Sequence, residues 1–112
     1  MEFFITESQR KKTGSSCYFE FQKGQKSKEY SSVFWREDSL LLHADIADET
    51  ELYKIIPDFN YYDITVISRE KWAVIRHNAE REGGTLMKII REASDWAEEN
   101  FKEFDYFVIL GI

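Results

Sequence analysis

The chain has 112 residues, of which 43% are hydrophobic and 16% are aromatic, with one Pro and five Gly. Length and apolar content together predict one folded domain over residues 1–112 and exclude an intrinsically disordered chain. The formal net charge of −6 disfavours a nucleic acid as the partner, because each bound phosphate prefers a Lys or Arg to neutralise it.

The sequence features that bear on cellular location favour the cytoplasm. No apolar run approaches the roughly 18 residues that a membrane-spanning helix requires. At the N-terminus an acid and apolar residues come before the first bases, which is the reverse of a secretory signal. Cys17 is the only cysteine, so no internal disulfide can form. We therefore expect a cytoplasmic protein that does not bind a membrane.

The N-terminal half predicts four short strands, at residues 2–6, 17–22, 29–36 and 40–44. Residues 9–16 are polar and contain a Gly, which predicts a loop. In the second strand Cys17 alternates onto the same face as Phe19 and Phe21, which favours a buried thiol and one wet face. Sequential strands with short polar connections favour an antiparallel meander.

A short helix and a fifth strand are predicted next. Asp48 lies three residues before Glu51, which is the spacing of a capping box, and Pro57 ends the helix. Residues 62–67 are rich in β-branched and aromatic side chains, which predicts a strand.

The C-terminal third predicts two helices and a closing strand. Ser68 can cap the first helix, whose inner stripe would be Trp72, Ile75 and Ala79. Gly83 and Gly84 break the chain, and Thr85 can cap a long helix to about residue 103, along which apolar residues repeat every three to four positions from Leu86 to Phe104. The apolar run at residues 106–112 predicts a strand buried on both faces beside the fifth strand. The whole pattern predicts an α+β domain, with an antiparallel or mixed sheet of about six strands and two or three helices.

Catalytic and metal-binding candidates are weak. His43 and Asp45 are two residues apart on a predicted strand, which could place an imidazole beside a carboxylate for general-base chemistry. No nucleophile or second acid joins them, so a strand-end His near a solvated Asp is the better interpretation. His77 is followed four residues later by Arg81, which would repel a cation. We expect no enzyme activity, no metal and no cofactor.

The charge is distributed unevenly along the chain. Residues 37–63 hold eight acids and one base, whereas residues 1–36 hold seven bases and four acids. The bases of the predicted loops would either keep the hairpin loops soluble or form one positively charged edge. The acids would form either a solvated face or a protein-binding surface. About half of the acids suit helix starts and turns.

Aromatic residues near these acids favour a protein-binding surface, because this pairing is common at hot spots. The candidate partner-binding residues are Asp45, Glu49, Glu51, Tyr53, Asp58, Phe59, Tyr61, Tyr62 and Asp63.

As a whole the chain resembles a bacterial immunity protein of a contact-dependent or polymorphic toxin system. The likeness lies in a small, acidic, aromatic-rich α+β domain without a catalytic motif, and in the closing segment from Trp96 through Phe101 to residues 107–112. The resemblance implies tight binding of one cognate toxin domain, often a nuclease with a basic cleft. Carboxylates of residues 37–63 would then pair with the toxin's bases and occlude its active site.

Two other function classes stay open. The chain could be a structural or regulatory subunit that forms a homo-oligomer through an exposed sheet face carrying Tyr18, Glu20 and Tyr30. It could also be a small enzyme that uses His43 or His77.

Overall fold

Five strands form one antiparallel sheet in the computed structural model, which describes residues 1–26 and 34–112. The strands are β1 (Phe4–Ile5), β2 (Tyr18–Lys23), β3 (Leu40–His43), β4 (Ile64–Ser68) and β5 (Tyr106–Leu110). The helices are α1 (Glu7–Thr13), α2 (Ala44–Thr50), α3 (Arg69–Glu82) and α4 (Gly84–Phe101), with a 3-10 turn at Leu52–Lys54. The predicted α+β class is confirmed, with five strands rather than about six and four helices rather than two or three among the described residues.

The strand order is β1-β3-β2-β5-β4, so the predicted meander is wrong. β1 and β2 both pair antiparallel with β3 and therefore run parallel to each other, which requires a crossover connection. The connection contains α1, where a loop was predicted at residues 9–16. The predicted strand at residues 29–36 lies mostly outside the described residues, and its described part, residues 34–36, forms no strand.

The α1 helix is short and polar, and local hydrogen bonds define both of its ends. Thr6 and Gln9 form a reciprocal capping box, in which each side chain accepts from the backbone N–H of the other. Gly14 ends the helix with φ of +70°, a backbone conformation that glycine adopts without steric cost.

One face of the sheet packs against α3 and α4 to form the main core. The predicted inner stripes of both helices are confirmed, because Trp72, Ile75 and Ala79 on α3 are all at most 3% exposed. The corresponding buried residues of α4 are Leu86, Ile89, Ile90, Ala93, Ala97 and Phe101. β5 lies between β2 and β4, as the closing apolar run predicted, and Phe107 and Ile109 point into this core.

The other face of the sheet is also covered, so the predicted wet face of β2 is wrong. Glu20 is fully buried, and its carboxylate accepts hydrogen bonds from the backbone N–H groups of Trp35 and Arg36 at 2.9 and 2.8 Å. The Ser39 hydroxyl donates a third bond to Glu20 at 2.6 Å. On the same side, the guanidinium of Arg10 on α1 lies 4.2 Å from the centroid of the Trp35 ring.

Three further predictions about side chains are wrong. Cys17 is exposed because it precedes β2 instead of occupying a core position within it. The cap of α2 is His43, whose Nδ1 accepts from the N–H of Asp45, so the helix begins before the predicted cap Asp48. The α4 helix begins at Gly84, and Thr85 lies inside it instead of capping it. The Ser68 cap of α3 is confirmed by a 3.1 Å bond from the Lys71 N–H.

Candidate protein-binding groove

A shallow groove crosses the sheet face that carries Glu20, at the end where the chain enters β4 and leaves β5. The groove has a volume of about 360 Å³ and is lined by Phe34, Tyr62, Asp63, Ile64, Leu110, Gly111 and Ile112. A second depression of about 290 Å³ continues it toward β2 and adds Ser16, Tyr18 and Trp35. We call the two together the Phe34 groove.

Three large apolar side chains are left open to solvent in the Phe34 groove. Phe34 is 44% exposed, Tyr62 79% and Ile112 46%. Water-exposed aromatic and aliphatic surface of this kind gains free energy when another surface covers it, at about 25 cal/mol per Å². Concentrated in one depression, these side chains mark a binding surface better than scattered ones would.

Backbone pairing beyond β4 and β5 builds the floor of the groove. The Gly111 N–H donates to the Asp63 carbonyl at 2.9 Å, and the Ile112 N–H donates to the Tyr61 carbonyl at 3.0 Å. A Cβ atom on Gly111 would overlap the Tyr61 carbonyl, so only glycine permits this approach. The floor is therefore held by backbone hydrogen bonds and does not have to form when a partner binds.

One rim of the groove joins aromatic rings to carboxylates. The Tyr62 ring lies 4.9 Å from the Tyr61 ring, and the Tyr61 hydroxyl donates to Asp48 Oδ2 at 3.2 Å. Partial burial raises the pKa of Tyr61, and the neighbouring Asp48 raises it further, so the phenol stays a hydrogen-bond donor. Asp63 lines the groove itself, and its Oδ1 accepts from the Ile64 N–H.

Asp45, one helical turn before Asp48 on α2, adds a further carboxylate near the groove. Tyr18 lines the groove and packs edge-on against His43, with ring centroids 5.0 Å apart. His43 Nδ1 lies 3.7 Å from a carboxylate oxygen of Asp45, which is exposed. Carboxylates therefore border the apolar floor at Asp63 and, through His43, beside Tyr18.

Positive charge is absent from the described lining of the groove. None of the described residues that line it is Lys or Arg. Arg10 packs on Trp35, but its guanidinium is paired with the carboxylate of Glu7, with the Arg10 Nε 2.5 Å from Glu7 Oε1. The groove therefore favours a partner that offers bases around an apolar or aromatic centre.

Only part of the predicted partner-binding set lies at this groove. Tyr62 and Asp63 line it, and Tyr61 and Asp45 stand at its rims. Phe59 instead packs on the core residue Phe19, with ring centroids 5.4 Å apart.

The remaining predicted residues have no described contact with the groove. Glu51 is ion-paired with Lys54, and the nearby Tyr53 is 57% exposed. Glu49 and Asp58 are exposed on α2 and on the turn after Pro57.

The sequence did not predict that Phe34, Tyr18 and Ile112 belong to the site. Each was assigned to a strand, and the groove forms because three separate segments meet on one sheet face. The homo-oligomer surface proposed from the sequence is also not available, because Glu20 is fully buried and Tyr18 is 8% exposed. Tyr30, its third member, lies outside the described residues.

The two histidines considered as catalytic candidates do not line the Phe34 groove. His43 caps α2 through the nitrogen that a general base would need. His77 is exposed on α3. Within residues 1–26 and 34–112, no group of three or more His, Cys, Asp or Glu side chains is placed to hold a metal ion. No helix in the same part of the chain has both the length and the apolar character needed to cross a membrane.

Comparison with known proteins adds no assignment. No family model matches this chain, and no match is found among the curated proteins or the solved structures. The function proposed below is therefore argued from the chemistry of the groove.

Proposed function

We propose that the protein is a non-enzymatic inhibitor that binds a cognate bacterial toxin, such as a nuclease, and occludes its basic active-site cleft. The observation that carries the proposal is the Phe34 groove, in which exposed apolar side chains lie between carboxylates with no base in the described lining. An apolar centre supplies affinity and the surrounding acids supply specificity and fast association.

The acids would act on the partner's cleft by replacing substrate phosphates. A nuclease cleft presents Lys and Arg to bind phosphate, so it is complementary to Asp45, Asp48 and Asp63. All three are exposed, and Asp48 already accepts a hydrogen bond from Tyr61, so Asp45 and Asp63 are the more available to an incoming base.

The aromatic residues would set how long the complex lasts. Tyr62 is 79% exposed and Phe34 44%, so a partner that covers them buries much new apolar surface. Tyr61 supports Tyr62 from behind through ring contact and is itself packed edge-on against Phe19 at 5.1 Å. Because this support is present before binding, little ordering cost is added when the partner docks.

The test compares charge reversal at the groove with the same reversal elsewhere. The double variant Asp45→Lys, Asp63→Lys reverses two carboxylates that border the groove, and Glu49→Lys, Asp58→Lys makes the same net charge change on exposed residues outside the groove. Calorimetric titration against the cognate toxin domain, as an inactive variant, should show roughly a hundredfold weaker binding for the first only.

The salt dependence of binding should separate the two variants as well. Wild-type affinity should fall with added salt, and the groove variant should lose most of this dependence. Equal affinities for the two double variants would exclude the groove as the binding surface. Failure of the wild-type protein to protect cells from the toxin would exclude the inhibitor function itself.

A further inference from the structure

The two ends of the sheet differ in how their outer hydrogen-bonding groups are used. β1, at one end, is two residues long, and the Glu92 carboxylate on α4 accepts from the N–H groups of Glu2, Phe3 and Phe4 at 3.0, 2.9 and 2.8 Å. β4, at the other end, is five residues long, and no described residue pairs with its outer side.

The register of β4 against β5 identifies the outward groups. Because the Gly111 N–H bonds to the Asp63 carbonyl, the hydrogen-bonded pairs on β4 are Thr65 and Ile67, opposite Ile109 and Phe107. Ile64, Val66 and Ser68 therefore direct their backbone groups away from the sheet. Among the described contacts, the N–H and C=O of Val66 have no hydrogen-bond partner.

The sequence of β4 does nothing to discourage pairing. Natural sheets protect edge strands with charges, prolines or bulges. The strand Ile-Thr-Val-Ile-Ser contains no charged residue and no proline, and its register with β5 is unbroken from Ile64 to Ser68. A free edge of this kind is a template for another extended strand.

The edge is complementary to itself. If two copies of β4 run antiparallel with Val66 opposite Val66, each Ser68 N–H lies opposite an Ile64 carbonyl and the two Val66 residues exchange bonds. Four backbone hydrogen bonds then form. The same register brings no like charges together along the strands, because Ile64 lies opposite Ser68 and Val66 opposite Val66.

The helix next to this edge also leaves an apolar side chain uncovered. Arg76 and Glu80 on α3 form ion pairs with Glu98 and Arg91 on α4, which places α4 on one side of α3. Val74 is rotated about 160° from Arg76 around the helix, so it faces away from α4. Val74 is 45% exposed there.

We propose that two copies of this chain associate through β4, antiparallel about a twofold axis at Val66, and join their sheets into one. A twofold axis makes the interface isologous, so each bond described above is matched by a symmetry-related bond. The partner in this inference is a second copy of the chain, and the proposed inhibitor function is not needed for it.

The first test places like charges directly on the proposed axis. In Val66→Lys the two lysines would face each other, and in Val66→Glu the two glutamates would, so each variant should dissociate at least about tenfold more readily than wild type. An equimolar mixture of the two variants should recover the dimer, because Lys then faces Glu. Sedimentation from low micromolar to near-millimolar concentration measures the mass against the 13.4 kDa monomer.

Three results of this test would overturn the proposal. The wild-type protein could stay monomeric at near-millimolar concentration, the single variants could dimerise as strongly as wild type, or the mixture of folded variants could stay monomeric. Circular dichroism of each variant shows whether it is folded.

The second test uses the unaltered protein and so does not depend on any variant folding. Exchange of the Val66 and Ser68 amide hydrogens should slow as the protein concentration rises, because the dimer protects them. The Thr65 and Ile67 amides are already bonded to β5 and serve as internal controls whose exchange should change little. A Val66 amide whose exchange rate does not change with concentration would contradict the pairing.

Discussion

The two edge strands of the sheet differ in whether their outer backbone groups are hydrogen-bonded. On the β1 side a carboxylate from α4 accepts three consecutive backbone N–H groups, so the edge has no donor to offer at those positions. On the β4 side the outer edge is uncharged, and next to it lies the Phe34 groove with its exposed aromatics. A single well-placed acid is therefore enough to close one edge, and the other side keeps the features that binding requires.

The largest expected effect on stability comes from Glu20, which holds the segment 35–39 beside the Phe34 groove. Glu20→Ala leaves the N–H groups of Trp35 and Arg36 and the Ser39 hydroxyl without their buried acceptor. We expect a loss of about 3–5 kcal/mol in the free energy of unfolding, measured by urea denaturation.

The isosteric variant Glu20→Gln is the control, because it keeps the shape and one acceptor oxygen. It should lose less stability than Glu20→Ala. Partner binding through Phe34 should weaken in both variants even where they remain folded. A loss below about 1 kcal/mol in Glu20→Ala would contradict the structural role argued for this carboxylate.

A smaller effect on stability is expected from removing the Glu92 carboxylate at the β1 edge. Glu92→Ala removes the acceptor of three backbone bonds, two of which are partly buried, and this should lower the free energy of unfolding by about 2–3 kcal/mol. Glu98 lies on the same helix in an exposed ion pair with Arg76, so Glu98→Ala should cost less than about 1 kcal/mol. Equal losses in the two variants, by chemical denaturation, would show that Glu92 does not seal the edge.

The sequence predicts those elements whose stability comes from a regular apolar stripe. The periodic residues of α3 and α4 are buried as expected, and so are residues 107–110 of the closing apolar run, whereas Ile112 is 46% exposed. The α1 helix has no such stripe, and its stability comes from a capping box and the ion pair of Glu7 with Arg10. A pattern of hydrophobic spacing therefore cannot detect it.

The candidate site was predicted in part for a similar physical reason. Tyr62 and Asp63 could be predicted because they follow Pro57 and fit no core period. Phe59 has the same sequence context but packs on Phe19, a contact between residues that are distant in the chain. The pairing of β1 with β3 and the convergence of Phe34 with β4 and β5 are likewise non-local, so spacing alone does not predict them.

The smallest expected effect on stability concerns the Tyr61 hydroxyl beside the Phe34 groove, and it depends on pH. Tyr61→Phe removes the hydroxyl that donates to Asp48, which should cost about 0.5 kcal/mol at neutral pH because the bond is exposed. The pKa of Tyr61 in the folded protein is raised above its ordinary value of 10.0, by burial first and then by Asp48. The folded state thus favours the protonated phenol, and its contribution is complete below pH 10 and is lost as the pH rises through the raised pKa.

Wild-type protein should therefore lose more stability than Tyr61→Phe between neutral pH and about pH 11, as measured by urea denaturation at each pH. Tyr62→Phe is the matched control, since Tyr62 is 79% exposed and its hydroxyl has no hydrogen bond among the described contacts. If Tyr61→Phe and Tyr62→Phe follow the same pH profile, the bond to Asp48 does not stabilise the rim. If only Tyr61→Phe differs from wild type in its pH profile of stability, the Tyr61–Asp48 contact beside the Phe34 groove is ordered before any partner binds. The groove then differs from a surface that must assemble around its ligand.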